Sequence, residues 1–500
     1  MKLSSFTHQN AFLQKPVFIF LLPVFFVFHG YTQNYDAVPG KAALLLTLKY
    51  MGISVLFVVL FSFFFKNQWK AGWMTFLIMS FHFFFGSFLA FLKNYFPGSF
   101  IIHYRIVLPF ILAILLLFFI YLKKRTKPIS KATAYLNLLL VALIMIDFGS
   151  LIIKIPKTEK KKHFNAAAEG FTICDSCYKP DIFLIIPDEY CGTKVLHDIF
   201  QFDNSAFLSA LKARGFYVAH ESRSNYNSTP FSVASTLNME LLPVRERKQD
   251  YNSIRYSYEV IKNNRLIKFL TASGYQFYNC SIFDFEGQPA HKYSAFLPYG
   301  INLVTAQTFT DRLIHDMRQD ILNGRFGLKK IQKKLAYENL RFNEQIFDLT
   351  VKIAAEKSKA PKFVYTHLMM PHFPFYYDSL GNSMPLEKLR DANRYNRQDY
   401  ISYLQYSNRK ILQLTDSIMH NSPTPPVIII LSDHGFRHPQ KNIDPDYDFI
   451  NLNAVYFPNK NYSLFYDSIT NINQFRVLLN TYFHQHLPIL KDSTYNLNIK

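Results

Sequence analysis

Along the first third of the chain the apolar positions run together; along the rest they come in short bursts that end in charge. Five apolar stretches follow one another before residue 155: Val17 to Phe28, Ala42 to Phe65, Ala71 to Leu92, Ile106 to Leu122 and Thr133 to Ile153. The last four approach the ~20 residues a helix needs to cross the hydrocarbon core of a bilayer. The first is shorter and holds Pro23. No small-x-small cleavage site follows it, so it reads as a span extended from Ala11 rather than the core of a signal peptide; were it cleaved, four spans would remain. The pattern predicts an all-α membrane region of about five transmembrane helices over residues 1–155.

After a polar, basic tether at 156–179 the texture changes. Three runs, DIFLIIPDEY from Asp181, KFVYTHLMMPHFPF from Lys362 and PVIIILSDHGFRH from Pro426, are apolar without alternation and bounded by proline or glycine. Such runs read as strands buried on both faces, as in a parallel sheet. Phe216 to Ala219, Phe277 to Ile282 and Asn453 to Phe457 read as shorter strands. Between them lie segments of helical periodicity: Asn204 to Arg214, Ser232 to Leu241, Tyr251 to Ala272, Val304 to Leu322, Leu328 to Glu356, Arg394 to Met419 and Phe475 to His486. Alternating strands and helices predict a doubly wound α/β domain over 180–500.

The strand ends carry the candidate chemistry. In an open α/β sheet, ligands bind beyond the carboxyl ends of the strands. The first run ends in Asp188 and Glu189, the second leads to His372, and the third ends in Asp433 and His434. Carboxylates and imidazoles are first-rank ligands for a divalent metal. A fourth piece, SNYNSTPFSVASTLN from Ser224, sets Ser228 and Thr229 at the start of a helix with Pro230 at its first turn. Residues of these types suit a plain N-cap. They also place a hydroxyl in the positive field of a helix, beside free N–H groups.

Charge adds the topology. The formal net charge is +20, but no basic face lies beside an aromatic platform, so no nucleic-acid partner is expected; anionic lipid headgroups are a secondary attraction. Lys2, Lys15, Lys66 and Lys70, with the basic loop from Lys123 to Lys131, fall on one side of the membrane, against Lys41, Lys93 and Arg105 on the other. By the positive-inside rule the N-terminus is cytoplasmic and the α/β domain lies outside, although the lysines after the fifth stretch run against that rule. Four cysteines are too few for a disulfide scaffold, and Cys174 with Cys177 reads as a small disulfide loop in the tether. Asp147 and His82 fall within spans, where ionisable groups are functional suspects; a hydrogen bond to a neighbouring helix is the plainer expectation for both.

These motifs resemble the alkaline phosphatase/sulfatase superfamily, and within it the membrane-anchored branch of lipoteichoic acid synthases and phosphoethanolamine transferases. The resemblance spans about Pro180 to Phe457 and rests on SDHG, PDEY, the STP helix start and HFPF. It implies a bacterial inner-membrane protein, multi-pass, with a periplasmic catalytic domain. It implies metal ligation by Asp188, Thr229, Asp433 and His434, with Thr229 as nucleophile and His372 acting on the substrate; Glu189 and Ser228 are the alternative ligand and nucleophile. The implied cofactor is one divalent ion, zinc or manganese. The implied partners are the bilayer, a phospholipid donor of phosphoethanolamine or phosphoglycerol, and an envelope glycan or glycolipid acceptor; a sulfatase-like hydrolase using water is the alternative, and a non-enzymatic envelope scaffold a further one. Two departures shape the expectation. Ser232 stands where the sulfatase pattern C/S-x-P-x-R has arginine, which argues against sulfate esters. The nearest histidine beyond the DHG is His438, so a second metal is not expected.

Overall fold

The computed structural model describes residues 14–35, 37–159, 170–243, 251–290, 300–437 and 443–497. The tether at 156–179 lies partly outside them, as do His291 and His438. The chain forms two compact units: Met1–His163 with Ala295–Gln319, and Phe164–Ser294 with Asp320–Lys500.

The N-terminal part of the first unit has among its described residues the helices α1 (Phe18–Gln33), α2 (Gly40–Phe65), α3 (Gln68–Tyr95), α4 (Tyr104–Lys124) and α5 (Ser130–Glu159). Among the described residues four of them, α2 to α5, are long and apolar enough to cross a membrane, and α1 is shorter. The described part of α1 has 16 residues with Pro23 inside it. It is nonetheless part of the bundle core, with Phe18 packed on Trp73 and Phe76 and Phe26 stacked on Phe83. Large apolar side chains such as Leu56, Phe63, Leu117 and Ile146 point outward, as a lipid-facing surface requires. Asp147 on α5 meets the expectation of a neighbouring-helix partner: its carboxylate lies 3.0 Å from His29 Nδ1 on α1. His82 does not, since its buried Nε2 has no hydrogen-bond partner among the described residues.

A piece of chain from between the third and fourth strands belongs to this same unit. Its periodicity suggests one helix from Val304, but the structure breaks it into Asn302–Thr305 and a helix starting at Phe309. Thr308 stands at the break, where its hydroxyl accepts from Asp311 N. The segment lies against α3: Gly86 N donates to Gln307 O at 2.8 Å, and a Cβ on Gly86 would meet Gln307 backbone atoms at 2.7 and 2.9 Å. Only glycine permits that approach.

The second unit is built on one six-stranded sheet: β1 (Ile182–Pro187), β2 (Tyr217–Ala219), β3 (Gln276–Cys280), β4 (Lys362–Leu368), β5 (Val427–Leu431) and β6 (Asn453–Tyr456), in the order β2-β6-β5-β1-β4-β3. The strands β5, β1 and β4 are parallel, as their unbroken apolar runs foretell, and β3 runs parallel beside β4 at the edge, while β6 runs antiparallel to both β5 and β2. The sheet is thus mixed. Every residue of β1, β4 and β5 is buried, with α6 (Thr229–Asn238), α7 (Glu338–Ala355), α8 (Arg397–Asn421) and α9 (Asn471–Phe483) among the helices of this unit. Two stretches read as single helices are interrupted, one at Asn264, which caps the following helix by accepting from Ile267 N, and one at Tyr337. Cys174 and Cys177 are disulfide-bonded, as the tether loop suggested.

Register fixes what the strand ends bring together. Ile182 pairs with Val427 and Ile185 with Ile430. Continuing that pairing three residues past Ile185 sets Asp188 level with Asp433, so two carboxylates leave adjacent parallel strands at one height.

Candidate active site at the strand tips

Asp188, Asp433 and His434 offer ligand atoms that all lie within 4.8 Å of one another, and all three residues are buried. Each carboxylate has one oxygen engaged by the protein and one left over. Asp433 Oδ1 accepts from Glu189 N at 3.1 Å, and Asp188 Oδ2 lies 3.3 Å from His367 Nε2. Asp433 Oδ2 and Asp188 Oδ1 have no hydrogen-bond partner among the described residues. Orphaned buried acceptors are costly, and two beside a histidine make a group that could hold a metal ion.

His434 is oriented for the same task. Its Nδ1–H donates to Gly435 O at 2.7 Å, which leaves the Nε2 lone pair facing Asp433 Oδ2 at 3.3 Å and Thr229 Oγ1 at 3.2 Å. A carbonyl on one ring nitrogen is the usual way a metal-ligating imidazole is held in one tautomer. The loop itself is closed by backbone: Gly435 N donates to Asp448 O, and a Cβ on Gly435 would meet the carbonyls of Ile450 and Tyr447 at 2.6 and 2.8 Å.

Thr229 is the first residue of α6, and Ser228 makes no side-chain cap bond to the helix. The simple N-cap reading therefore does not describe this corner. The first intrahelical bond is Ser232 N to Ser228 O, so the amides of Thr229 and Phe231 precede it and face outward from the helix end. Ser232, the residue in the arginine position of the sulfatase pattern, is buried and donates to Asp433 O at 2.5 Å. It ties the helix start to the SDHG loop instead of reaching a substrate.

His372 and Glu189 form the second half of the site. His372 Nδ1–H donates to Phe373 O at 2.5 Å, and its Nε2 lies 3.6 Å from Glu189 Oε2. Glu189 has a left-handed backbone, φ +60°, a strained conformation for a residue with a Cβ. Its carboxylate is held by Arg437, whose Nε donates to Oε1 at 3.3 Å. The alternative ligand of the pair Asp188–Glu189 is thus occupied by an ion pair. Arg437 and His367, with Tyr365 hydroxyl 3.0 Å from its Nδ1, are the residues the sequence reading did not single out.

The charges of the site are mutually stabilised. Burial pushes Asp188 up, but His372, His367 and His434 around it outweigh burial and hold its carboxyl well below the usual range. Burial likewise opposes ionisation of Glu189, and the Arg437 guanidinium, with His372 and His434, brings it below its ordinary value. Cys191, two residues beyond Glu189, is no competitor as nucleophile: burial pushes its thiol up to about 12.

No curated protein matches the chain. Solved structures similar to it include the C-terminal periplasmic domain of EptC from Escherichia coli (12% identity, 63% of this chain and 88% of that one, TM-score 0.38). The corresponding domain of the phosphoethanolamine transferase EptC from Campylobacter jejuni is 12% identical over 65% of this chain and 96% of its own, TM-score 0.37. The phosphonate monoester hydrolase of Agrobacterium radiobacter is 12% identical over 61% and 73%, TM-score 0.39. The sulfatase family model matches residues 201–476, which takes in Thr229, His372, Asp433 and His434 and begins just after Asp188. That match covers more than half of the 500 residues, and the chain belongs to the sulfatase family.

Proposed function

We propose that the protein is a membrane-anchored, metal-dependent phosphotransferase of the cell envelope. In this reading Asp188, Asp433, His434 and Thr229 hold one divalent ion, zinc or manganese. The observation that carries it is the Thr229 hydroxyl, at the start of a helix and 3.2 Å from His434 Nε2 in a buried group of metal donors. When bound, the cation lowers the pKa of a coordinated hydroxyl and neutralises charge on phosphoryl oxygens.

The chain's own residues do the rest. Thr229 Oγ1, deprotonated, attacks phosphorus in line, forming a P–O bond to threonine as the P–O bond to the leaving alcohol breaks. The outward amides at the start of α6 face the equatorial oxygens, where charge accumulates. His372 gives the leaving alkoxide its proton, with Glu189 placed to stabilise the imidazolium. A second alcohol then attacks the phospho-threonine, loses its proton to His372 and releases Thr229. Arg437 keeps Glu189 ionised and away from the cation.

Four membrane spans favour a donor that lives in the bilayer, a phospholipid giving up phosphoethanolamine or phosphoglycerol, and an acceptor glycan or glycolipid on the outer face of the inner membrane. Hydrolysis, with water as second nucleophile, is the competing reading. Mass spectrometry of the full chain after incubation with headgroup-labelled phospholipid tests both. A labelled adduct on Thr229 that passes to an added alcohol supports transfer; an adduct that decays only to free headgroup phosphate supports hydrolysis. An adduct on Ser228, or none, contradicts the assignment.

A further inference from the structure

His82 is an ionisable group of the membrane unit whose buried Nε2 has no partner among the described residues, and it borders a cavity. The cavity, of about 820 Å³, lies among α2, α3, α4 and the segment 301–311, a volume within the ~300–1,000 Å³ of small-molecule sites. Along α2 it runs from Leu46 to Phe57, about 16 Å at 1.5 Å per residue. One leaflet of hydrocarbon is half of the ~30 Å core. The cavity is therefore as deep as one leaflet.

Its two ends differ in chemistry. Toward Phe57, Ile78 and Leu115 the lining is hydrocarbon. Lys49, His82 and Asp311 line the other end, and the Tyr50 ring, next in sequence to Lys49, lies 5.5 Å from the His82 ring at the middle of α3. Lys49 makes no hydrogen bond or ion pair among the described residues, and His82 Nε2 is buried without a partner. Asp311 is engaged by the Thr305 hydroxyl. The exposed ammonium of Lys49 and the unsatisfied imidazole of His82, at one end of an otherwise apolar cavity, suit an anionic group. On one side the lining residue Leu112 is exposed, an opening through which a chain can enter from the bilayer.

We infer that this cavity binds a phospholipid of the bilayer, one acyl chain lying between α2 and α4 and its phosphate against Lys49 and His82. The segment 301–311 closes the headgroup end, seated by Gly86 against Gln307. The inference concerns the membrane unit and stands apart from the chemistry proposed at the strand tips.

The test uses the full chain in nanodiscs of phosphatidylethanolamine and phosphatidylglycerol containing phosphatidylethanolamine with a diazirine in its acyl chain. Photolabelled peptides are mapped by mass spectrometry, without turnover. Labelling is expected to concentrate on Ile53, Phe57 and Ile78 over the outward-facing Leu56 and Phe63, and to fall with unlabelled phospholipid. Ile53→Trp, which fills the cavity, should cut it roughly tenfold, the loss corresponding to about 1.4 kcal/mol. Gly86→Val, which lifts the closing segment, should reduce it as well. Should a variant fail to fold, the wild-type pattern decides alone. Equal labelling of cavity and outward positions, undiminished by competitor, would overturn the inference, whether or not the enzyme transfers headgroups.

Discussion

The two units bury ionisable groups in opposite ways. In the membrane bundle they are spread over several helices: Asp147 is matched by His29 across two helices, and His82 Nε2 has no hydrogen-bond partner among the described residues. At the strand tips they are gathered, because parallel pairing of β1 with β5 brings Asp188 level with Asp433 and the next residue adds His434. A dispersed pair neutralises itself. A gathered set of two carboxylates and an imidazole leaves oxygen atoms without a partner among the described residues, a group that could hold a cation. Clustering of like charge, against the cost of burying it, is what separates a site from a structural contact here.

The largest expected effect breaks the gathered set at its nucleophile. Thr229→Ala should lower turnover of labelled phospholipid by on the order of 10⁴-fold or more, the scale of removing a covalent nucleophile, with thermal stability little changed. Next comes the cation itself. Chelation should abolish activity and destabilise the chain by about 2.7 kcal/mol relative to metal at a hundredfold excess over its Kd. Asp433→Ala with His434→Ala should bind no metal and show no such difference in thermal melts.

Arg437→Leu sharpens the comparison from the other side by turning a paired buried carboxylate into an unpaired one. In the native chain the folded pKa of Glu189 is depressed. Its contribution to stability is therefore full above the ordinary carboxylate pKa of ~4.3 and is lost as pH falls through the folded value. Without Arg437, burial dominates and the pKa rises. Urea unfolding should show a loss of about 2–3 kcal/mol at neutral pH, shrinking as the solution is acidified. The smallest effect belongs to the dispersed region: Asp147→Asn should cost about 0.6 kcal/mol, the typical worth of a polar contact between membrane helices. A much larger loss would mean that this pair, too, is more than a structural contact.

Much of the site was legible because parallel strands leave an unmistakable trace. Val427 to Leu431 and Ile182 to Ile186 are apolar at every position, and such strands deliver whatever follows them to one edge of the sheet. The direction of β6 was not legible, since the four residues Asn453–Tyr456 carry no sign of which way they run. Arg437 was missed because an arginine two residues past a glycine looks like any surface cation until Glu189 is seen folded back with a positive φ to meet it. His367 was read as part of a strand; an imidazole inside an otherwise buried β-run was the available signal. Val304 to Leu322 reads as an amphipathic helix, and an apolar face does not declare which partner covers it. Breaks at Asn264 and Thr308 sit at good capping residues, but the apolar periodicity carries across both.

The central claim is that these side chains share one cation, and X-ray absorption at the zinc edge of the metal-loaded full chain tests it most directly. The account predicts about one zinc per chain with a single nitrogen and otherwise oxygen neighbours at roughly 2.0–2.2 Å, a spectrum that changes when Thr229 becomes alanine. A chain that binds no zinc, or a spectrum with sulfur neighbours or one indifferent to Asp188→Ala and Asp433→Ala, would contradict it.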